Sequence, residues 1–260
     1  MVLPANEGSY PWSTVGMAAD YRLRYFFQAT PPAKFVAARG PVWLRTDSED
    51  ASVSFLAYEI LSRALQELTT AHDPRGRLLG AEEERALCRH CYILALFEQC
   101  YRRPSAPSVL TALRDRPTAE DLLSFCEERV VEDLVAISTL FAETQVEFYA
   151  QPSFVLNPTF QASKLLGGAD ADLIVSGRLV EIKTLKSGRP DRADKLQLAA
   201  YALADWEDKH GIREVAFYLA RHGIQKVWSL DEYLERLAGK KVSVGGLRAE
   251  FRACCETLIK

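Results

Sequence analysis

Three stretches of the chain carry side chains whose chemistry and spacing belong together. Two of them are Gly168-Ala169-Asp170-Ala171-Asp172-Leu173-Ile174-Val175 and Leu179-Val180-Glu181-Ile182-Lys183-Thr184. Alternation along a strand puts Glu181 and Lys183 on one face and Val180 and Ile182 on the other. Asp172 lies nine positions before Glu181, so a hairpin folded about Ser176-Gly177 brings the two carboxylates towards each other. Asp170 has the same parity as Asp172. Two carboxylates on a strand pair, flanked by apolar residues, are costly unless a cation sits between them. Mg²⁺ fits, because it takes oxygen ligands and keeps waters for a phosphate substrate, and Mn²⁺ is expected to substitute for it. Lys183 then lies beside the ion, placed to orient or help deprotonate an attacking water. The third stretch holds Gln197 and Tyr201, four apart and therefore on one face of a helix. An isolated Glu-x-Lys is most often a pair of solvated charges on a hairpin. Here it shares one hairpin with the aspartates and is followed by that helix.

The elements that must position these residues are visible in the punctuation. The hairpin reads as Ala169–Val175 and Arg178–Leu185, followed by a loop at Ser187-Gly188-Arg189-Pro190. A helix follows over Asp191–His210, with Leu196, Ala199, Ala200, Leu203 and Trp206 on one side and Gly211 at its end. Arg213–Leu219 and Lys226–Leu230 read as strands, and Asp231–Leu237 and Leu247–Ile259 as closing helices. Val146–Tyr149 and Ser153–Leu156 read as short extended segments before the hairpin. Gly167-Gly168 precedes it, but with no Gly-Lys-Ser/Thr behind it this is no NTP-binding loop.

Further upstream, residues 1–50 read as irregular and aromatic-rich. Phe55, Ile60, Leu61, Leu65 and Leu68 then recur at helical spacing. A second helix spans Ala81–Tyr101, with Glu82, Glu83 and Glu84 in its first turn, where the helix dipole favours negative charge, and Pro104 and Pro107 beyond its end. A third starts at Thr118, which forms a capping-box pattern with Asp121, and runs to Gln145. This order predicts a helical N-terminal region over 1–117 and an α/β core with C-terminal helices over 118–260.

The chemistry-bearing residues resemble the PD-(D/E)XK nuclease superfamily, in particular its RecB-like branch. The resemblance covers Leu140 to Leu230 and rests on Gly168-Ala169-Asp170-Ala171-Asp172, on Glu181-Ile182-Lys183-Thr184 and on Gln197-x-x-x-Tyr201. It implies an α/β fold with a PD-(D/E)XK (restriction-endonuclease-like) core, a mixed central sheet flanked by helices, preceded here by the mostly helical region. It implies that Asp172 and Glu181 bind Mg²⁺, that Lys183 serves the water, and that Gln197 and Tyr201 support the site or touch the nucleic-acid backbone. Asp170 rivals Asp172 as the ligand; Asp172 is preferred because Leu173-Ile174-Val175 continues from it into the strand. Members of the family add an acidic residue or histidine from the helix before the sheet, for which Glu143 is the candidate, with Glu132 and Glu147 as rivals. Thr184, Lys186, Arg189, Arg192 and Lys195 follow the signature and are expected to form a rim that contacts phosphates, a contact that positions nucleic acid without reading sequence.

The expected function is that of a Mg²⁺-dependent deoxyribonuclease, hydrolysing DNA phosphodiester bonds by metal-activated water. The alternative is a catalytically silent nuclease-fold protein that binds nucleic acid or a partner protein within a larger complex. The sequence encodes no motor, so a helicase, ATPase or other subunit would act in trans.

Composition sets the outer bounds. The 260 residues are 48% hydrophobic and 26% charged, with Lys+Arg 32 against Asp+Glu 35, enough apolar surface for a core and no excess positive charge for coating nucleic acid. No apolar stretch approaches the roughly 20 residues that span a bilayer, and the first residues lack a basic-then-apolar leader pattern, so a cytoplasmic protein without a membrane partner is expected. The six cysteines are then expected as thiols. Cys88-Arg89-His90-Cys91 has no second Cys-x-x-Cys, and only Cys254-Cys255 follow the core, so neither zinc nor an iron–sulfur cluster is expected. Asp20-Tyr21-Arg22-Leu23-Arg24-Tyr25 could grip phosphates, but packing within the helical half is the stronger reading. The net charge of −3 hides a local excess: Ser176–Lys195 holds six basic and three acidic side chains.

Overall fold

A computed structural model describes residues 1–4, 8–48, 50–106, 108–163, 165 and 170–257. Pro107, Gly167-Gly168, Ala169 and Ile259, used above as a helix stop, a loop, a strand start and a helix end, lie outside the described residues. The chain divides into two units, Met1–Tyr149 and Ala150–Lys260.

In the second unit five strands form one mixed sheet whose spatial order is the chain order: β1 Phe154–Leu156, β2 Leu173–Val175, β3 Arg178–Lys183, β4 Glu214–Leu219 and β5 Ile224–Ser229. β1, β2 and β3 run antiparallel to one another in turn, β4 is parallel to β3, and β5 returns antiparallel. The β2–β3 turn is two residues long, with φ of 48° at Ser176 and 78° at Gly177, the left-handed pair that matches strand twist. A parallel neighbour cannot be reached by a tight turn. The crossover from β3 to β4 carries α7, Arg192–Ala204, and α8, Leu230–Ala238, and α9, Val244–Thr257, follow β5.

Strand alternation and this register put Ile174, Leu179, Val215, Phe217 and Leu219 on one face. They form a core with Leu198, Ala199 and Ala202 of α7, Leu230, Tyr233 and Leu234 of α8 and Cys255 of α9. Burying each large aliphatic or aromatic side chain contributes about 1.5–3 kcal/mol, and this layer fixes the helices against the strands that carry the charged residues.

The first unit is helical: α1 Trp12–Arg24, α2 Val53–Ala71, α3 Ala81–Arg102, α4 Ala119–Ser124, α5 Glu128–Thr144 and α6 Val146–Tyr149, with short 3-10 turns between. Three features differ from the sequence reading here. α1 occupies a region read as irregular, because its buried stripe of Val15, Ala18, Ala19 and Leu23 is interrupted by polar residues that are themselves buried and paired. Within it the Asp20–Tyr25 run is packed: Arg22 is fully buried on Glu84, and Tyr21 donates to Glu98. The third helix is two helices, parted at Phe125-Cys126-Glu127, and its capping box at Thr118 and Asp121 forms as expected. Val146–Tyr149 is a helical turn and not a strand.

The division between units falls after Tyr149, whereas the sequence suggested residue 117. The physical reason is α5, whose Val130, Val131, Leu134, Ile137 and Phe141 are buried and which packs against α1 and α3.

Two features of α7 also differ. It stops at Ala204, because the fully buried Asp205 carboxylate accepts the N–H groups of Lys209 and His210 at 3.0 Å each and turns the chain before Gly211. Leu196, read as part of the apolar side, is 49% exposed, and the buried stripe is Leu198, Ala199 and Ala202. Among the described residues no helix is long and apolar enough to cross a membrane.

Candidate active site

The hairpin register carries the aspartates to the glutamate. Leu173 pairs with Val180, so Asp172, one residue before β2, stands where the ladder would extend to face Glu181. Its Oδ2 accepts the Ile182 N–H at 2.6 Å, which fixes the side chain against β3. Asp170 is held nearby by a bridge between its backbone and Thr159. Glu181 is 5% exposed, an unusual depth for a carboxylate and one that requires charge compensation.

Lys183, two residues on and on the same face, supplies that compensation. Its Nζ lies 3.2 Å from Glu181 Oε1, 2.9 Å from Asp194 Oδ1 and 3.0 Å from Gln197 Oε1. Gln197 Nε2 in turn donates to the Tyr201 hydroxyl at 2.9 Å. Sheet and helix therefore meet in one chain of polar contacts, Glu181–Lys183–Gln197–Tyr201. The helix end of this chain is anchored by its cap. Asp191 accepts the Asp194 N–H at 2.8 Å and Asp194 Oδ2 accepts the Asp191 N–H at 3.0 Å. Asp194 thus serves both the cap and the lysine.

Electrostatics follow from these distances. Burial alone pulls the Lys183 ammonium down; the Glu181 and Asp194 carboxylates outweigh it and hold the pKa above its ordinary value. The side chain is a cation at neutral pH. Burial, then the charge of Glu181, pushes the Tyr201 phenol up to about 12; the Gln197 hydrogen bond opposes this, and Asp172 and Asp170 add to it. One hydroxyl therefore senses all three carboxylates.

The remaining predicted residues divide into groups. Thr184 contributes its carbonyl to Arg221 Nε at 3.0 Å. Lys186, Arg189 and Arg192 are exposed around the β3–α7 loop and the first turn of α7. Arg189 and Lys195 line a pocket together with Lys226 and Arg236. Glu143, Glu132 and Glu147 lie in the first unit, the other candidates in the second. Sequence reasoning missed Asp194 as a lysine partner; its only signal was the Asp191-x-x-Asp194 capping pattern.

Among the described residues no group of three or more His, Cys, Asp or Glu side chains is arranged to hold a metal ion. The donor chemistry of Asp172 and Glu181 nonetheless suits Mg²⁺, which is held by as few as one or two carboxylates and completes its shell with water and phosphate oxygens. Cys88, Cys91, Cys100 and Cys126 are buried free thiols in the first unit. Comparison with models of protein families, with curated proteins and with solved structures finds no match to the chain.

Proposed function

We propose that the protein is a metal-dependent nuclease that hydrolyses DNA phosphodiester bonds, and that its second unit is a PD-(D/E)XK core. The observation that carries this reading is the convergence of Asp172, Glu181, Lys183, Gln197 and Tyr201 on one face of the β2–β3 hairpin and α7. An ordinary solvated hairpin has no reason to bury Glu181 and tie its lysine to Gln197, fourteen residues on in the following helix.

Asp172 and Glu181 would hold Mg²⁺, with Asp170 beside them. When bound, the ion supplies a lowered water pKa and offsets charge on the phosphate. Lys183 does the rest of the charge work: held protonated by Glu181 and Asp194, it orients by donating hydrogen bonds and stabilises negative charge at the phosphate. Gln197 fixes the direction of the lysine, and Tyr201 fixes Gln197. The basic segment from Thr184 to Lys195 is the side from which a phosphate backbone is drawn in.

The test is cleavage of DNA under Mg²⁺ or Mn²⁺. Asp172→Asn, Glu181→Gln and Lys183→Ala are each expected to lower the rate by about 10²-fold or more, with circular dichroism unchanged. Equal rates in parent and variants would sink the site assignment. A parent that binds DNA without cutting it would instead favour the silent nuclease-fold protein.

A further inference from the structure

On the same sheet face, on the β4–β5 side of the carboxylates, the second unit has a pocket of about 500 Å³ lined by Arg189, Pro190, Lys195, Phe217, Lys226, Trp228, Tyr233, Arg236 and Leu237. That volume lies within the range of small-ligand sites, about 300–1,000 Å³. Its chemistry is two-fold. Phe217, Trp228 and Tyr233 form an aromatic group, with Trp228 5.5 Å from Tyr233 and 6.4 Å from Phe217 between ring centroids. Four cations surround it, and among the described residues no carboxylate belongs to the lining. Arg236 is paired with Glu232 at 2.6 Å, and Lys226 donates to the Gly188 carbonyl at 3.0 Å; Arg189 and Lys195 are exposed.

The pocket is built by the elements that build the carboxylate site. Glu181 is in register with Phe217 and Phe217 with Lys226, so the three stand in one row on one face. Two strand spacings, roughly 10 Å, separate the ends of the row. Tyr233 donates to the Lys195 carbonyl at 2.9 Å and joins α8 to the first turn of α7, where Asp194 holds Lys183. Burial, then Asp194 and Glu181, raise the Tyr233 phenol, as expected of a ring beside the lysine network.

We propose that this pocket seats one unpaired nucleotide of a single strand, its base on the partly exposed ring of Trp228, which the buried Phe217 and Tyr233 back from behind, and its phosphates on Arg189 and Lys195. A paired base has both ring faces covered by its neighbours, whereas an unpaired base has a face to stack, and stacking on aromatic rings tolerates any base. An acidic peptide would satisfy the cations and leave the rings unused. The inference rests on the nuclease reading for its substrate class, but its test requires no cleavage.

The experiment measures anisotropy of a fluorescent oligodeoxythymidylate of about 12 nucleotides, with chelator present, on the full chain. Trp228→Ala is expected to weaken binding about tenfold. Because Trp228 also packs on Phe217, the exposed pair Arg189→Glu and Lys195→Glu provides an independent arm, expected to weaken binding at least as much and to flatten its salt dependence. Unchanged affinity in both would overturn the proposal. So would a duplex that binds as tightly as the oligonucleotide, or a polyglutamate peptide that displaces it equally well. Weakened binding in the variants of a parent that does not cut DNA would keep the pocket and remove the nuclease reading. Normal binding in the pocket variants, with cleavage lost in Glu181→Gln, would do the reverse.

Discussion

Glu181 and Lys183 illustrate how much a single buried carboxylate demands of its surroundings. A charge 5% exposed needs a partner and hydrogen bonds, and Lys183 provides the partner while Asp194 and Gln197 hold the lysine. In the proposed nuclease site the role of Gln197 is positioning. It bridges Lys183 and Tyr201 and is itself exposed, so its removal leaves every buried group in place. Gln197→Ala is therefore expected to lower kcat about tenfold with KM and thermal stability little changed, an effect on the order of 1 kcal/mol as for one lost hydrogen bond. Gln197→Glu, which keeps an acceptor towards Lys183, should recover part of the loss. A change confined to KM would place Gln197 in substrate binding instead.

At the level of elements, two contacts show how the frame is held. In the first unit Arg22 of α1 binds Glu84 of α3 with Nε–Oε1 at 2.7 Å and Nη2–Oε2 at 2.8 Å, both side chains buried. Removing one member strands the other charge, so Arg22→Ala is expected to cost about 3–5 kcal/mol in urea unfolding. The double change Arg22→Met with Glu84→Leu should restore most of it. In the second unit the β3–α7 loop depends on Gly188, which has φ of 60° and whose missing Cβ would sit 2.7 Å from His222 Nε2. That ring lies 3.3 Å from the Lys186 carbonyl oxygen, and Lys226 holds the Gly188 carbonyl. Gly188→Ala combines a left-handed backbone with a collision. About 1–2 kcal/mol of stability should be lost, read by thermal melting, and, if the proposed nucleotide pocket binds DNA, that binding should weaken too because Arg189 is the next residue.

For the molecule as a whole, the burial of aromatic hydroxyls in the first unit sets a limit on alkaline stability. Burial raises Tyr21 and Tyr25 well above the ordinary range, raises Tyr58, and pushes Tyr92 up to about 12. The unfolded chain ionises its tyrosines near 10. The sign follows: these groups contribute fully below pH 10, and their contribution is lost as pH rises from 10 through the folded values of about 12 and above. Melting temperature should fall steeply over that window, and tyrosinate absorbance should appear together with loss of helix signal. Gradual tyrosinate formation in a chain that keeps its helices would contradict this account.

What the sequence determined by itself were features whose physics is local. The hairpin turn at Ser176-Gly177, the capping box at Thr118, the alternation that puts Glu181 beside Lys183, and the four-residue spacing of Gln197 and Tyr201 all follow from backbone geometry within a few residues. Tertiary structure decided what depends on distant partners. α1 was hidden because Arg22 and Tyr21 are polar residues made core by Glu84 and Glu98, more than sixty positions away. α7 ended early because Asp205 is buried and captures the next turn's N–H groups. Asp194 became a partner of Lys183, and Trp228 a neighbour of Tyr233 beside Lys195, only once the β3–α7–β4 crossover and α8 had packed on one sheet face. Long-range charge pairing and packing leave no periodic trace in the chain, so a pocket assembled from Arg189 to Leu237 emerges only when the strands are in register.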